Sequence, residues 1–246
     1  MKQLRSVLTA FCFGLFGVGG LIIGTVVFPL VVLIFPLRKQ RLVLADIIHY
    51  SWIFFVKVMT ALRLIVLEKQ PDLKALRGTV VVANHPTLLD IVLLISMIPR
   101  SVCVVKGALA RNFFIRHIIR RLYLTNDGDL ARFLQSAQTC LADGLNVIIF
   151  PEGTRTNFAQ KTPRLFRGFA HLAVRTKSPI LPIKIKCTPQ ILGKNQKWFD
   201  VGSQTVTFTV RPRPMIKVPR SGGRTEHALV KKIAEQTADE LFEKNN

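Results

Sequence analysis

The sequence predicts an α/β fold: a mixed, mostly parallel sheet with helices on both faces, preceded by an N-terminal hydrophobic helical segment. Three observations predict it. Short, uncharged, β-branched runs at 79–84, 101–105 and 146–150, and a further strand-like run at 180–186, alternate with stretches of helical length, as strands of an α/β sheet do. No charged side chain occurs from Ser6 to Pro36, more than the roughly 20 apolar residues that cross a hydrocarbon core. The chain of 246 residues has room for one α/β domain plus an appendage. The expected division is an N-terminal membrane-associated helical segment, 1–69, and a sheet-bearing domain, 70–246.

Taken in order, the first segment is apolar but broken by Gly17, Gly19, Gly20, Gly24, Pro29 and Pro36. Lys2 and Arg5 precede it and Arg38, Lys39 and Arg41 follow, so the positive-inside rule gives no orientation. A tilted span, a re-entrant hairpin and an interfacial helix pair all fit. A signal peptide fits less well, because the apolar region is too long and no small-residue cleavage site follows. Residues 47–67 form a second apolar segment interrupted by His49, Lys57 and Arg63, with Tyr50 and Trp52 at one end. It reads as a helix in the membrane interface with basic side chains reaching toward headgroups, the alternative being a core helix. Residues 68–78, with Pro71 and Gly78, are a polar connection.

Residues 79–84 then read as a buried strand. Asn84 suits a helix N-cap and Pro86 a first helical turn, so an apolar helix is expected to follow. Residues 101–105 form a strand and 107–121 a basic helix, with Arg111, Arg116, Arg120 and Arg121 near one face. A helix over 129–142 ends before Gly144. A strand at 146–150, a helix at 164–176 and a strand at 180–186 come next, then a loop over 188–203. Residues 205–211 alternate as a half-buried strand. Residues 225–243 form an amphipathic helix with Leu229, Ile233, Leu241 and Phe242 on its apolar side.

The chemistry concentrates at two strand ends. In Asn84-His85-Pro86-Thr87-Leu88-Leu89-Asp90, His85 sits where a strand turns into a helix, the place where open α/β sheets put their sites. Five helical residues turn about 500°, so His85 and Asp90 meet only if the chain bends at His85. A neutral imidazole accepts a hydroxyl proton near physiological pH, and a carboxylate on its other nitrogen fixes the tautomer. Alone, His85 also reads as a capping residue and Asp90 as an ordinary surface pair. The second strand end is Phe150-Pro151-Glu152-Gly153-Thr154-Arg155. Arg155 offers a planar fork for phosphate oxygens, and Gly153 permits a positive φ that turns backbone N–H groups toward an anion. Alone, Arg155 reads as a surface arginine with Glu152 as its partner.

The two motifs together, in this order and spacing, resemble the glycerolipid acyltransferases, among them 1-acylglycerol-3-phosphate and other lysophospholipid acyltransferases. Arg167-Gly168 through Leu172-Ala173 is similar to that family's basic-Gly-x-x-x-Leu-Ala helix, and Ile180-Leu181-Pro182-Ile183 to its last block. The resemblance covers about residues 75–190. It implies His85 as general base and Asp90 as its orienter. It implies acceptor binding by Glu152, Gly153, Thr154 and Arg155, with Lys106 opening the second block. Pro182 would border the acyl-donor or acceptor site, or simply be an edge-strand or strand-end proline. It further implies direct acyl transfer from an acyl-carrier protein or coenzyme A thioester, with no cofactor beyond that co-substrate. The second block departs from the family pattern: Asn126 stands about where an arginine for acceptor phosphate is expected. This opens other acceptors, such as an ornithine lipid, a polyene or a glycolipid anchor.

Other chemistries find less support. Cys12, Cys103, Cys140 and Cys187 show no Cys-x-x-Cys spacing, and no His/Cys spacing suggests a metal site. Neither a Gly-x-Ser-x-Gly elbow nor a phosphate-binding P-loop occurs. Scattered cysteines fit a reducing compartment, so the catalytic domain is expected on the cytoplasmic face of a membrane, the inner membrane if the source is bacterial. Lys and Arg number 35 against 14 Asp and Glu, a net charge of +21 that attracts anionic lipids, an acidic carrier protein or nucleic acid. A basic nucleic-acid-binding protein is the rival from another class. With two Trp, two Tyr, no nucleic-acid fold signature and a long apolar N-terminus, no nucleic-acid partner is expected.

Overall fold

A computed structural model describes residues 2–68, 71–107, 122–126, 129–156, 163, 165–193, 196, 204–219 and 225–242. The N-terminal apolar stretch is one helical rod: α1 (Lys2–Ile22), a π-helical turn (Ile23–Val27) and α2 (Phe28–Ile34). It ends where Pro36 holds extended backbone, and α3 (Leu37–Ala61) runs back beside it. The pairing is antiparallel. Gln40 Nε2 donates to the carbonyls of Val32 and Phe35 at the bend, Phe16 stacks on Trp52 at 5.7 Å, and Arg5 donates to the carbonyls of Arg63 and Leu64 at the far end.

Seven strands form the sheet: β1 (Ile65–Glu68), β2 (Val80–Ala83), β3 (Ser101–Lys106), β4 (Leu124–Asn126), β5 (Asn146–Ile149), β6 (Ile180–Thr188) and β7 (Val206–Pro212). The order is β1-β7-β6-β2-β5-β3-β4. Every neighbouring pair is parallel except β6 and β7. The helices are α4 (Asp90–Met97), α5 (Leu130–Ala142), α6 (Gly168–Thr176) and α7 (Glu226–Phe242). The β2-α4-β3 connection moves along the sheet one way, whereas β4-α5-β5 and β5-α6-β6 move back. Right-handed crossovers therefore put α4 on one face and α5 and α6 on the other. Accordingly α3 packs on α4, while α5, α6 and α7 pack in sequence. This is the mixed α/β architecture expected.

The core sits in the middle strands. All four residues of β2 and Val147 and Ile148 of β5 are fully buried, with Phe169 and Phe208 among the largest buried side chains. Burying an aliphatic side chain of this kind stabilises the fold by about 1.5–3 kcal/mol. Cys103 is buried in β3, and burial pushes its thiol up to about 12, which fits packing better than nucleophilic chemistry.

Several boundaries differ from expectation. Residues 47–67 are not one helix: α3 ends at Ala61, Arg63 adopts a φ of 52°, and Ile65–Glu68 becomes β1, paired with β7. A β-branched end beside an open sheet edge gains more as a strand than as another helical turn. The strand lies on the N-terminal side of the expected division at residue 70, yet belongs to the same sheet. One face of α3 is core, with Leu44, Ile48, Val56 and Met59 buried and His49 Nδ1 2.6 Å from the Ile95 carbonyl oxygen. Tyr50 and Phe54 on its outer side are exposed. The helix after His85 begins at Asp90, later than expected, and Asn84 is not its cap. β4 was not anticipated. The basic helix expected over 107–121 lies outside the described residues, except Gly107 at its start.

Candidate active site

Five parallel strands end on the same edge of the sheet, and the two motif loops leave from adjacent strands there, β2 and β5. The chain does bend at His85. Residues 84–89 make a turn rather than a helix, and His85 Nδ1 lies 2.8 Å from Asp90 Oδ2. Asp90 is fully buried and the His85 side chain 19% exposed. Two further donors reach the same carboxylate: the Thr87 N–H at 2.7 Å and the Thr87 Oγ1 hydroxyl at 2.8 Å. Asp90 is also the first residue of α4, where the helix dipole favours negative charge. Burial raises the pKa of Asp90, opposed by its bonds and proximity to His85 and by its bonds to Thr87. An ionised Asp90 only accepts, so Nδ1 carries the proton and Nε2 has a lone pair. No described residue bonds to Nε2. The ring lies flat on Phe150, with centroids 4.2 Å apart and planes 20° apart.

The histidine's backbone is held as firmly as its ring. Its N–H donates to Glu152 Oε1 at 3.0 Å and to Thr156 Oγ1 at 3.1 Å, and its carbonyl accepts from the Thr156 N–H at 2.7 Å. Thr156 Oγ1 in turn donates to Glu152 Oε1 at 2.7 Å. Glu152 is buried, which raises its pKa against the lowering effect of Thr156 and His85. Its described bonds run inward to the histidine loop. One residue earlier, Asn84 clamps β2 to β6: its amide donates to the Ile185 carbonyl at 2.8 Å and its oxygen accepts the Ile185 N–H at 2.7 Å.

Gly153 has a φ of 63°, as its motif predicted, and a Cβ there would sit 2.9 Å from the Phe166 ring. Thr154 beside it is exposed. Arg155 is half-buried and donates through one guanidinium nitrogen to the carbonyls of Leu192 (2.8 Å) and Gly193 (2.7 Å). The Leu192 carbonyl also accepts from the Leu88 N–H at 3.2 Å. A segment about a hundred residues downstream is thereby strapped to the histidine turn. Lys106 ends β3 on this same edge, opposite Asn126 of β4; the side chains of both lie outside what is described. Pro182 is buried in β6 opposite Val82. It is not at a strand end. Its missing N–H falls between the Ile180–Ile216 bridge and the Arg213 N–H bond to its own carbonyl, where pairing with β7 has lapsed.

Thr87, Phe150, Thr156 and Leu192 were not singled out from sequence. Thr87-x-x-Asp90 does have the spacing of a capping box, and that signal was available. Nothing local marks the other three.

A family model described as acyltransferase matches residues 63–186. The 1-acyl-sn-glycerol-3-phosphate acyltransferase alpha of Bos taurus is 28% identical over 171 residues, 65% of this chain and 59% of that protein. The beta form of Homo sapiens is 31% identical over 144 residues, 54% of this chain and 50% of that protein. The enzyme of Cocos nucifera is 29% identical over 144 residues, 54% and 42% of the two chains. This chain thus spans less than two thirds of each relative. The crystal structure of the 1-acyl-sn-glycerophosphate (LPA) acyltransferase PlsC from Thermotoga maritima superposes with a TM-score of 0.69 at 23% identity. It covers 97% of this chain and 95% of its own, a likeness of fold.

Proposed function

This chain belongs to the glycerolipid acyltransferase family, and from that premise we propose that it is a membrane-associated O-acyltransferase. It moves a fatty acyl group from an acyl thioester to the hydroxyl of a lysophospholipid such as 1-acylglycerol-3-phosphate. The observation that carries this reading is the His85–Asp90 pair, with Nδ1 held on a buried carboxylate and Nε2 left as the basic nitrogen. His85 Nε2 takes the acceptor's hydroxyl proton as the oxygen attacks the thioester carbonyl carbon. The tetrahedral adduct then expels the thiolate, which recovers the proton from the imidazolium. Positioned base catalysis of this kind contributes typically about 10²–10⁴-fold.

The acceptor's phosphate is assigned to the Gly153–Arg155 turn. One Arg155 nitrogen is spent on Leu192 and Gly193, and the remaining donors of the same rigid fork serve an anion. Glu152 serves that loop indirectly, by fixing the His85 backbone. The donor is an acyl-carrier protein or coenzyme A thioester. Membrane attachment is assigned to the N-terminal pair. Gln3–Ile34 and Lys39–Ala61 are long and apolar enough to cross a bilayer, yet α3 is docked on the sheet domain. Phe11, Val18, Ile22, Val26, Leu33 and Leu37 stand exposed, an apolar surface suited to lying within one leaflet.

The test uses the full chain in detergent with labelled acyl-carrier protein and coenzyme A thioesters and a panel of single-chain lipids, including ornithine lipid and glycolipid acceptors. Products are identified by mass. The expected result is a two-chain phospholipid from the wild type and a loss of about 10²–10⁴-fold in a His85→Ala variant that remains folded. Normal turnover by a folded His85→Ala would remove the assignment.

A further inference from the structure

The β6–β7 flank carries a charge pattern that the transfer chemistry does not use. Across this antiparallel pair Lys184 lies directly opposite Arg211, and Lys186 opposite Thr209. Strand alternation sets them on the face away from Ile183, Ile185, Phe208 and Val210, which are buried. Burial lowers the pKa of Lys184, and the charges of Arg213 and Arg211 lower it further. The carboxylate at the edge of this flank, Glu68, already accepts a bond from Thr209 Oγ1 at 2.8 Å.

Beside these cations the sheet edge is notched. β1 stops at Glu68 while β7 runs on to Pro212, and the step leaves a cavity of about 560 Å³ bounded by Glu68, Pro71, Thr209, Arg211, Pro212 and Arg213. That volume lies within the usual range for small-molecule sites. Register gives its position. Val210 pairs with Ile185, and Asn84 bonds the backbone of Ile185, so the notch begins level with the histidine turn and runs from there toward the opposite edge of the sheet. It lies in the row of β1, three strand spacings from β2, about 14 Å.

That distance selects the ligand. In a 1-acylglycerol-3-phosphate the phosphate sits on the carbon next to the one bearing the reacting hydroxyl, so it must bind close to His85. A coenzyme A thioester carries its phosphates at the far end of a pantetheine arm. The concave notch suits a nucleotide better than the convex surface of an acidic protein. Resting on the thioester-transfer reading above, we infer that Lys184, Lys186 and Arg211, with the notch beside them, bind the phosphorylated nucleotide of a coenzyme A thioester donor.

Adenosine bisphosphate, the nucleotide end of coenzyme A without its arm, tests this by calorimetry on the full chain in detergent. The wild type binds it, and Lys186→Glu and Arg211→Glu, both at exposed positions, each weaken binding at least about 10-fold. In turnover the KM for acyl-coenzyme A rises by a similar factor. The kcat, the acceptor KM and the KM for an acyl-pantetheine thioester, which lacks the nucleotide, stay unchanged. Unchanged nucleotide affinity in both variants overturns the site. So does a loss confined to acyl-carrier protein as donor, or to binding of anionic vesicles. Nucleotide binding that the variants abolish, in a wild type that transfers from no thioester, keeps the site and removes the transferase reading instead.

Discussion

The histidine edge of the sheet and the N-terminal helix pair use polar groups in opposite ways. At the edge, Asn84, Thr87, Asp90, Glu152 and Thr156 are buried, and each bonds another loop or strand or the histidine turn itself. Along α1 and α2 the side chains are almost all apolar, and many face outward. Buried polar groups are costly unless partnered, so the edge tolerates one geometry and holds the imidazole in it. Exposed apolar groups have no such directional demand. They require only a surrounding that is not water, and a bilayer supplies it. Precision is thus concentrated where chemistry happens, and adhesion where position matters less.

The largest expected break in this comparison is Asp90→Asn. It keeps the shape but removes the charge that fixes the Nδ1–H tautomer and stabilises the imidazolium, and kcat should fall about 10²–10⁴-fold with acceptor KM little changed. Steady-state kinetics on a correctly folded variant checks this; a raised KM at normal kcat would mean that Asp90 binds rather than orients.

On the other side of the comparison, Val26→Glu combined with Leu33→Glu should cut vesicle binding by about 10-fold or more per substitution, since each removes an apolar side chain worth about 1.5–3 kcal/mol when buried in lipid. Both positions are exposed, so the melting temperature should hold. Flotation with anionic vesicles reads the effect, and binding that survives both charges would move the attachment elsewhere.

Glu152→Gln sharpens the comparison with the smallest effect. The glutamine oxygen can accept the same bonds from His85 and Thr156. The folded-state pKa of Glu152 is raised by burial, so the folded protein binds more protons than the unfolded chain between the ordinary carboxylate value and the raised one. Wild-type stability therefore falls as pH rises through that window, and the variant lacks this contribution. Asp90 is common to both proteins and cancels. The melting temperature of the variant relative to wild type should climb with pH across the window and then level, by about 2–4 °C per kcal/mol. A difference independent of pH would show that Glu152 is not ionised by folding-linked titration.

Much of this was legible in the chain. β-Branched uncharged runs located β2, β3 and β5, because a strand buried on both faces has little room for charge. The impossibility of a shared helical face for His85 and Asp90 required the turn that is found. Gly153 announced its positive φ. Harder cases arose where two local readings competed. Asn84 has the chemistry of an N-cap, and Ile65–Leu67 continues an apolar helix just as well as it starts a strand.

What the sequence determined by itself is local: strand ends, a bend at His85-Pro86, a glycine turn before Arg155, and an apolar N-terminus with nothing charged in it. Only the tertiary structure decided that Asn84 would bond Ile185, 101 residues away, that Glu152 would hold the His85 N–H, 67 residues away, and that Arg155 would reach the carbonyls at 192 and 193. Periodicity and capping report interactions within a turn or two of chain. Bonds between loops depend on strand order, and strand order emerges only when the whole sheet is assembled.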